Sequence, residues 1–321
     1  MTHQLRTLFA LFLCAGLATA AQAQNYPERP IRLIVPFSPG GTSDLVGRLV
    51  AARLSDLGQP VIVDNRGGAG STLGTGIAAR ATPDGYTLIV SHIGLAINQT
   101  LYSKLPYNAV KDLAPISKLG VAPSAVVVNN KLPVTNLGEL ITLAKKEPKK
   151  LNYGSGGVGS AGHLSVALLE YVTGAKFTHV PYKGGGPSVA ATIAGEVHLA
   201  IPVLASATSH VKAGRLRMLA VTSAKRSQAV PDVPTAAEAG VSGYVYETWF
   251  GLFAPAGTPQ SVLMKLNQAT VKAVGMKDVR DQLAAQGVEA ATSTPAELGR
   301  ILRDDTATWA KIIESAGIPI N

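Results

Sequence analysis

Cysteine is nearly missing from this chain: Cys14 is the only one in 321 residues. A single thiol excludes internal disulfides and Cys-based metal sites, so the fold must rest on apolar burial. Aromatic residues make up only 5% and charged residues 15%. None of the aromatics interleaves with the one lysine cluster, 145–150, as a nucleic-acid stacking surface requires. No G-x-x-x-x-G-K-[ST] occurs, which excludes a P-loop at the motif level. A G-x-S-x-G nucleophile elbow is also absent, because Tyr153 and Val158 hold the first glycine positions around Ser155 and Ser160. The histidines lack metal-type spacing such as H-x-x-x-H, and the acids form no evident pair for glycoside chemistry. No metal or cofactor is therefore expected.

The formal charge is +9, with 29 Lys and Arg against 20 Asp and Glu. Only Lys145-Lys146…Lys149-Lys150 forms a cluster, at a predicted helix end where cations suit the dipole. Nucleic acid is thus not an expected partner, whereas a mildly cationic surface helps to attract anionic solutes.

The first residues read as an export signal. Arg6 supplies the positive charge, an apolar run follows from Thr7 to Ala20, and Ala21-Gln22-Ala23 closes the segment in an A-x-A pattern. The run is well short of the ~20 residues a spanning helix needs. Leu13 before Cys14 argues against a lipoprotein site. Residues 1–23 are expected to be removed, which places the mature chain in the periplasm.

The remainder repeats one cadence of β-branched strand, Gly-rich loop and helix, which predicts an α/β fold with largely parallel sheets. Strands are expected at 31–35, 61–63, 86–90, 125–128, 151–153, 177–180, 199–203, 218–221 and 251–255. Helices are expected at 45–57, up to Arg80, 137–146, 162–172, up to Ala194, 261–274, 277–286 and 295–316, the last capped by Thr294. Residues 24–124 plus 249–321 are assigned to one lobe and 125–248 to the other, with two chain crossings.

Three Gly-rich loops, 37–44, 65–71 and 154–160, follow strands and precede helices. Helix N-termini carry unpaired N–H groups and partial positive charge, and glycine lets backbone approach a ligand. Loops at the carboxyl ends of strands line the crevice of open α/β sheets. Together with their hydroxyls these loops predict a carboxylate cradle. Gly154-Ser155-Gly156-Gly157-Val158-Gly159 also matches G-x-G-x-x-G, but the next strand ends at Tyr182-Lys183 with no acid for a ribose. The dinucleotide reading is therefore weak. His163, on the first turn of a helix, is a weak candidate for the cleft.

Many phrases together resemble a known family over the whole mature length. They include Val35-Pro36-Phe37-Ser38-Pro39-Gly40-Gly41…Asp44, Pro83-Asp84-Gly85-Tyr86-Thr87-Leu88, Lys104-Leu105-Pro106-Tyr107 and His179-Val180-Pro181-Tyr182-Lys183-Gly184. Further matches are Pro231-Asp232-Val233-Pro234-Thr235 and Ala254-Pro255-Ala256-Gly257-Thr258-Pro259. The chain resembles the periplasmic receptors of tripartite tricarboxylate transporters, often called Bug proteins. The resemblance implies a two-lobed, type II periplasmic-binding fold, each lobe a sheet flanked by helices. It also implies a monomer that closes on a small organic carboxylate and delivers it to membrane permease subunits.

Carried over by position, the ligand contacts are expected from Phe37, Ser38, Gly40, Gly41, Thr42, Ser43, Gly70 and Ser71 on one lobe. The other lobe is expected to offer Ser155, Gly159, Ser160, His163, Thr178, Tyr182 and Pro202. Two departures from the family pattern stand out. Gly67 replaces the usual Pro, and Ala200-Ile201-Pro202 stands where many relatives read Met-Phe-Asp. Pro202 cannot pair with an ammonium group, so a plain carboxylic acid is expected. Two rival functions stand beside transport: a ligand-presenting partner of a periplasmic sensor domain, which uses the same closed lobes and which the sequence does not separate from it, and, fitting less well, an enzyme using Ser155 with His163.

Overall fold

The computed structural model of the protein describes residues 26–316. The expected signal segment, 1–23, lies outside the described residues.

Strand β1 (Ile31–Val35) is a β-branched run buried at nearly every position and sits inside the first sheet. Helix α1 (Thr42–Leu54), β2 (Val61–Asn65), α2 (Thr72–Ala79) and β3 (Thr87–His92) follow. Then come α3 (Gly94–Leu101), the short α4 (Ala109–Asp112) and β4 (Leu113–Pro123). The chain crosses at Ser124 into β5 (Ala125–Asn129), α5 (Leu137–Lys146), β6 (Asn152–Ser155) and α6 (Ala161–Thr173). Next are β7 (Thr178–Pro181), α7 (Gly185–Ala194), β8 (Leu199–Ala200), α8 (Ala205–Lys212) and β9 (Leu216–Val221). It returns through β10 (Glu247–Pro255) to α9 (Gln260–Gly275), α10 (Lys277–Ala285), β11 (Glu289–Ala290) and α11 (Pro295–Ala316).

Two sheets result, ordered β11-β4-β10-β3-β1-β2 and β7-β6-β8-β5-β9, each flanked by helices. They are mixed, which corrects the expectation of largely parallel sheets. Parallel pairing is confined to β1 with β2 and β3, and to β6 with β7 and β8. β10 runs antiparallel to both β3 and β4, and β5 antiparallel to both β8 and β9. A strand entering from the other sheet needs no βαβ crossover, so nothing obliges it to run parallel.

Two strands differ from expectation because of proline. The sequence reading left 113–123 without a strand, since Pro115, Gly120 and Pro123 interrupt it. Register shifts against β10 absorb the irregularity. The expected strand 199–203 stops after Ala200, because Pro202 lacks an N–H for the ladder and the chain turns into α8. Helix α11 begins at a reciprocal cap: Thr294 Oγ1 accepts from Glu297 N–H at 3.2 Å, and Glu297 accepts from Thr294 N–H at 2.8 Å.

The crossings are tied together by one side chain. Thr222 Oγ1 accepts from Ser124 N–H at 2.7 Å and lies 2.5 Å from Tyr246 O, to which it donates. The main apolar core lies around β1, β3 and β10, and two smaller clusters lie on either side of β5.

Candidate ligand-binding cleft

Where the two sheets meet, the carboxyl ends of β1, β3 and β6 open onto a cavity of about 40 Å³. Three helices start at its wall. Helix α1 begins after Gly41, α6 after Ser160 and α7 after Gly184, and neither glycine cap offers a side-chain acceptor. The N–H groups of Ser43, Ala161, Gly162, Gly185 and Gly186 have no acceptor among the described residues. The starts of α1 and α7 face each other: a Cβ on Gly41 would lie 3.7 Å from Gly186 N. No Lys, Arg, Asp or Glu lines the cavity.

Of the residues expected from sequence, Phe37, Gly41, Thr42, Ser43, Ser155, Ser160 and Pro202 line the cleft. Others sit on the seam between the lobes. Ser38 N–H donates to Lys183 O at 3.0 Å, and the Gly40 N–H caps the Asp44 carboxylate at 3.1 Å. Gly70 presses against Val158, where a Cβ would stand 1.6 Å from the carbonyl oxygen. Gly159 lies nearly as close to Asn98, where a Cβ would stand 1.8 Å from Oδ1, and Asn98 Nδ2 donates to Gly70 O and lies 3.4 Å from Ser71 Oγ. Tyr102, not singled out from sequence, holds its hydroxyl 3.1 Å from Ala69 O and 2.9 Å from Val158 O, one carbonyl on each side of the seam.

Three expected residues lie behind the wall or away from it. His163 accepts from Gly159 N–H at 3.3 Å and packs on His179, ring centroids 4.7 Å apart. Burial pushes both imidazoles down to about 4. Thr178 is exposed and donates to Lys149 O at 2.6 Å. Tyr182 turns its hydroxyl to Glu196 at 3.3 Å.

The sequence reading missed His92, Ser188 and Ser206, which also line the cavity. Ser206 Oγ accepts from Thr42 N–H at 3.1 Å and lies 3.0 Å from Thr42 Oγ1, bridging the lobes. His92 ends β3 and stacks on Phe37, centroids 4.9 Å apart. The signal for it was available: the carboxyl end of a strand beside β1 must face the crevice.

Asp44, buried in the first turn of α1, is not a free acid aimed at this cavity. Burial raises its pKa, but bonds from Arg48, Asn65 and the Gly40 amide outweigh that and hold it below the usual carboxylate range. Its charge is spent on fixing the loop.

Two sheets facing each other across helix N-termini define a periplasmic-binding-type solute receptor. The model of the tripartite tricarboxylate transporter family receptor matches residues 46–318, and the chain belongs to that family. It is 38% identical over 320 residues to protein BugT of Bordetella pertussis, spanning 99% of this chain and 98% of that one. R. palustris Rpa4515, solved with adipate, superposes with a TM-score of 0.88 at 37% identity, covering 92% of this chain and 99% of the other. MatC from Rhodopseudomonas palustris, solved with bound malate, gives 0.85 at 34% identity, covering 90% and 100%.

Proposed function

We propose that this protein captures a small organic carboxylate between its lobes in the periplasm and passes it, unchanged, to a membrane permease. One observation carries the reading: the amino ends of α1, α6 and α7 converge on a cavity that holds no charged side chain. Bringing like partial charges together is unfavourable, and an anion between them reverses the sign. Ligand binding and lobe closure are thereby coupled.

The bound adipate and malate of the two R. palustris relatives support the ligand class. The absence of an acid from the cavity wall, with Pro202 in place, supports a ligand without an ammonium group. Micromolar affinity needs about 8 kcal/mol. Several charge-assisted hydrogen bonds at roughly 1.5–3 kcal/mol each suffice after the cost of association. Residues 1–23 supply the export signal, and 24–124 with 249–321 move against 125–248.

The test is mass spectrometry of ligand released from protein purified without refolding, followed by calorimetric titration. A small carboxylate that rebinds unchanged supports the proposal. Consumption of the acid during titration would overturn the receptor reading. Saturable binding of aspartate or glutamate would overturn the ammonium-free ligand.

A further inference from the structure

His92 is the one titratable side chain that lines the cleft. It is 4% exposed, lies flat against Phe37 with an interplanar angle of 17°, and meets Phe250 edge-on. Its ring has no freedom in how it presents its proton. Nδ1 accepts the Gly94 N–H at 2.8 Å, so the neutral ring must carry its hydrogen on Nε2. Burial, partly offset by the residue's own backbone, pushes the imidazole down to about 4, which keeps it neutral at the pH of ordinary media.

Among the described residues no acceptor bonds to Nε2, and the atom is not one of those sealed from solvent without a partner. Native folds satisfy their buried donors, so an unpartnered donor on a buried residue that lines a binding cavity is kept for what enters there. The first lobe also contributes the Ser43 amide, while α6 and α7 supply the donors of the second lobe.

We propose that His92 is a ligand-binding residue. Its Nε2–H meets a hydrogen-bond acceptor on the part of the ligand facing the first lobe, and so selects acids with a second acceptor over simple monocarboxylic acids. The inference rests on the carboxylate-receptor reading above.

Two substitutions separate the roles of the ring nitrogens. His92→Asn keeps an acceptor for Gly94 N–H near the place of Nδ1 and deletes the donor. His92→Gln restores a donor near the place of Nε2. Calorimetry would compare succinate, malate and oxaloacetate with butyrate, an acid of the same chain length lacking the second acceptor. Wild-type protein should bind its best diacid at least tenfold more tightly than butyrate. His92→Asn should lose about tenfold for that diacid and stay within twofold for butyrate, and His92→Gln should recover part of the loss. Nitrogen-15 spectra of the histidines should show His92 protonated at Nε2, with that proton shifting on titration. If no acid binds the wild type, the receptor reading fails and the His92 role with it. If an acid binds but His92→Asn keeps full selectivity, or Nδ1 carries the proton, only the role of His92 falls.

Discussion

Ser155 Oγ and His179 Nε2 lie 2.6 Å apart, and the pair joins the cleft wall to the imidazoles behind it. The enzyme alternative paired Ser155 with His163, but the structure puts His179 in that place. Parallel pairing of β6 with β7 sets Tyr153 opposite His179, and the rings stack 4.8 Å apart. An imidazole held near 4 is a weak proton acceptor, and no carboxylate bonds to it among the described residues. The pair therefore makes a poor acid–base couple. Ser155→Ala should weaken ligand binding by about 1 kcal/mol, roughly fivefold, because one donor among several is lost.

Gly159→Val should do far more, at least a hundredfold. A Cβ there would stand 1.8 Å from Asn98 Oδ1, and the backbone φ of +77° disfavours a branched residue. The lobes could then not meet. Calorimetry on both variants checks this, and equal small losses would remove the seam from the binding mechanism.

Tyr102→Phe should loosen closure without touching the cavity. The lost hydroxyl sits between carbonyls on the two sides of the seam, and a neutral hydrogen bond contributes about 1 kcal/mol. Affinity should drop severalfold, and small-angle scattering of the liganded protein should report a larger radius of gyration. An unchanged radius with unchanged affinity would show that the hydroxyl holds nothing shut.

Thr222→Val tests the tie between the crossings. The substitution keeps the shape but leaves the buried Ser124 N–H without its acceptor, a loss of about 1–3 kcal/mol. Denaturant unfolding should show it, and Thr222→Ser should regain most of the difference.

Acid should destabilise the fold through its histidines. His92, His163 and His179 are all pushed from 6.5 down to about 4 by burial. Above 6.5 both folded and unfolded chains hold them neutral and nothing is lost. As pH falls toward 4 the unfolded chain takes up protons that the folded one refuses, so stability declines across that window. For His92 the full drop corresponds to about 3 kcal/mol. Thermal melts between pH 7 and 4 check the trend, and replacing His92 with Asn should flatten part of it.

Helices with chemical start signals were the most legible elements, whereas α3, α4 and α8 went unread. Helix α11 could be placed to the residue because Thr294 and Glu297 mark its start chemically. Helix α5 was equally plain, with Asn136 capping Glu139 N–H at 2.9 Å and lysines in its last turn. Strand β4 could not be seen, since its prolines and glycine deny the local pattern and only pairing with β10 makes it a strand. The glycine loops announced a cradle, yet which of their atoms face the cavity depends on how the lobes meet. A lone histidine shows no periodicity, so His92 could be suspected only from its place at a strand end, and the state of its ring nitrogens is legible only beside Phe37 and Gly94.

The position of β10 also bears on how the protein is made. It lies between β3 and β4 in its sheet, yet follows every strand of the other sheet in the chain. A polypeptide emerging amino end first can finish the sheet spanning Ala125–Val221 while β3 and β4 still lack the strand that joins them. β1, β2 and β3 can pair at once, but the outer edge of β3 stays open and β4 lacks its β10 partner until residues 247–255 arrive. The residues that line the crevice are thus all made before β10, the strand that joins β4 to β3 and closes the first sheet beneath them.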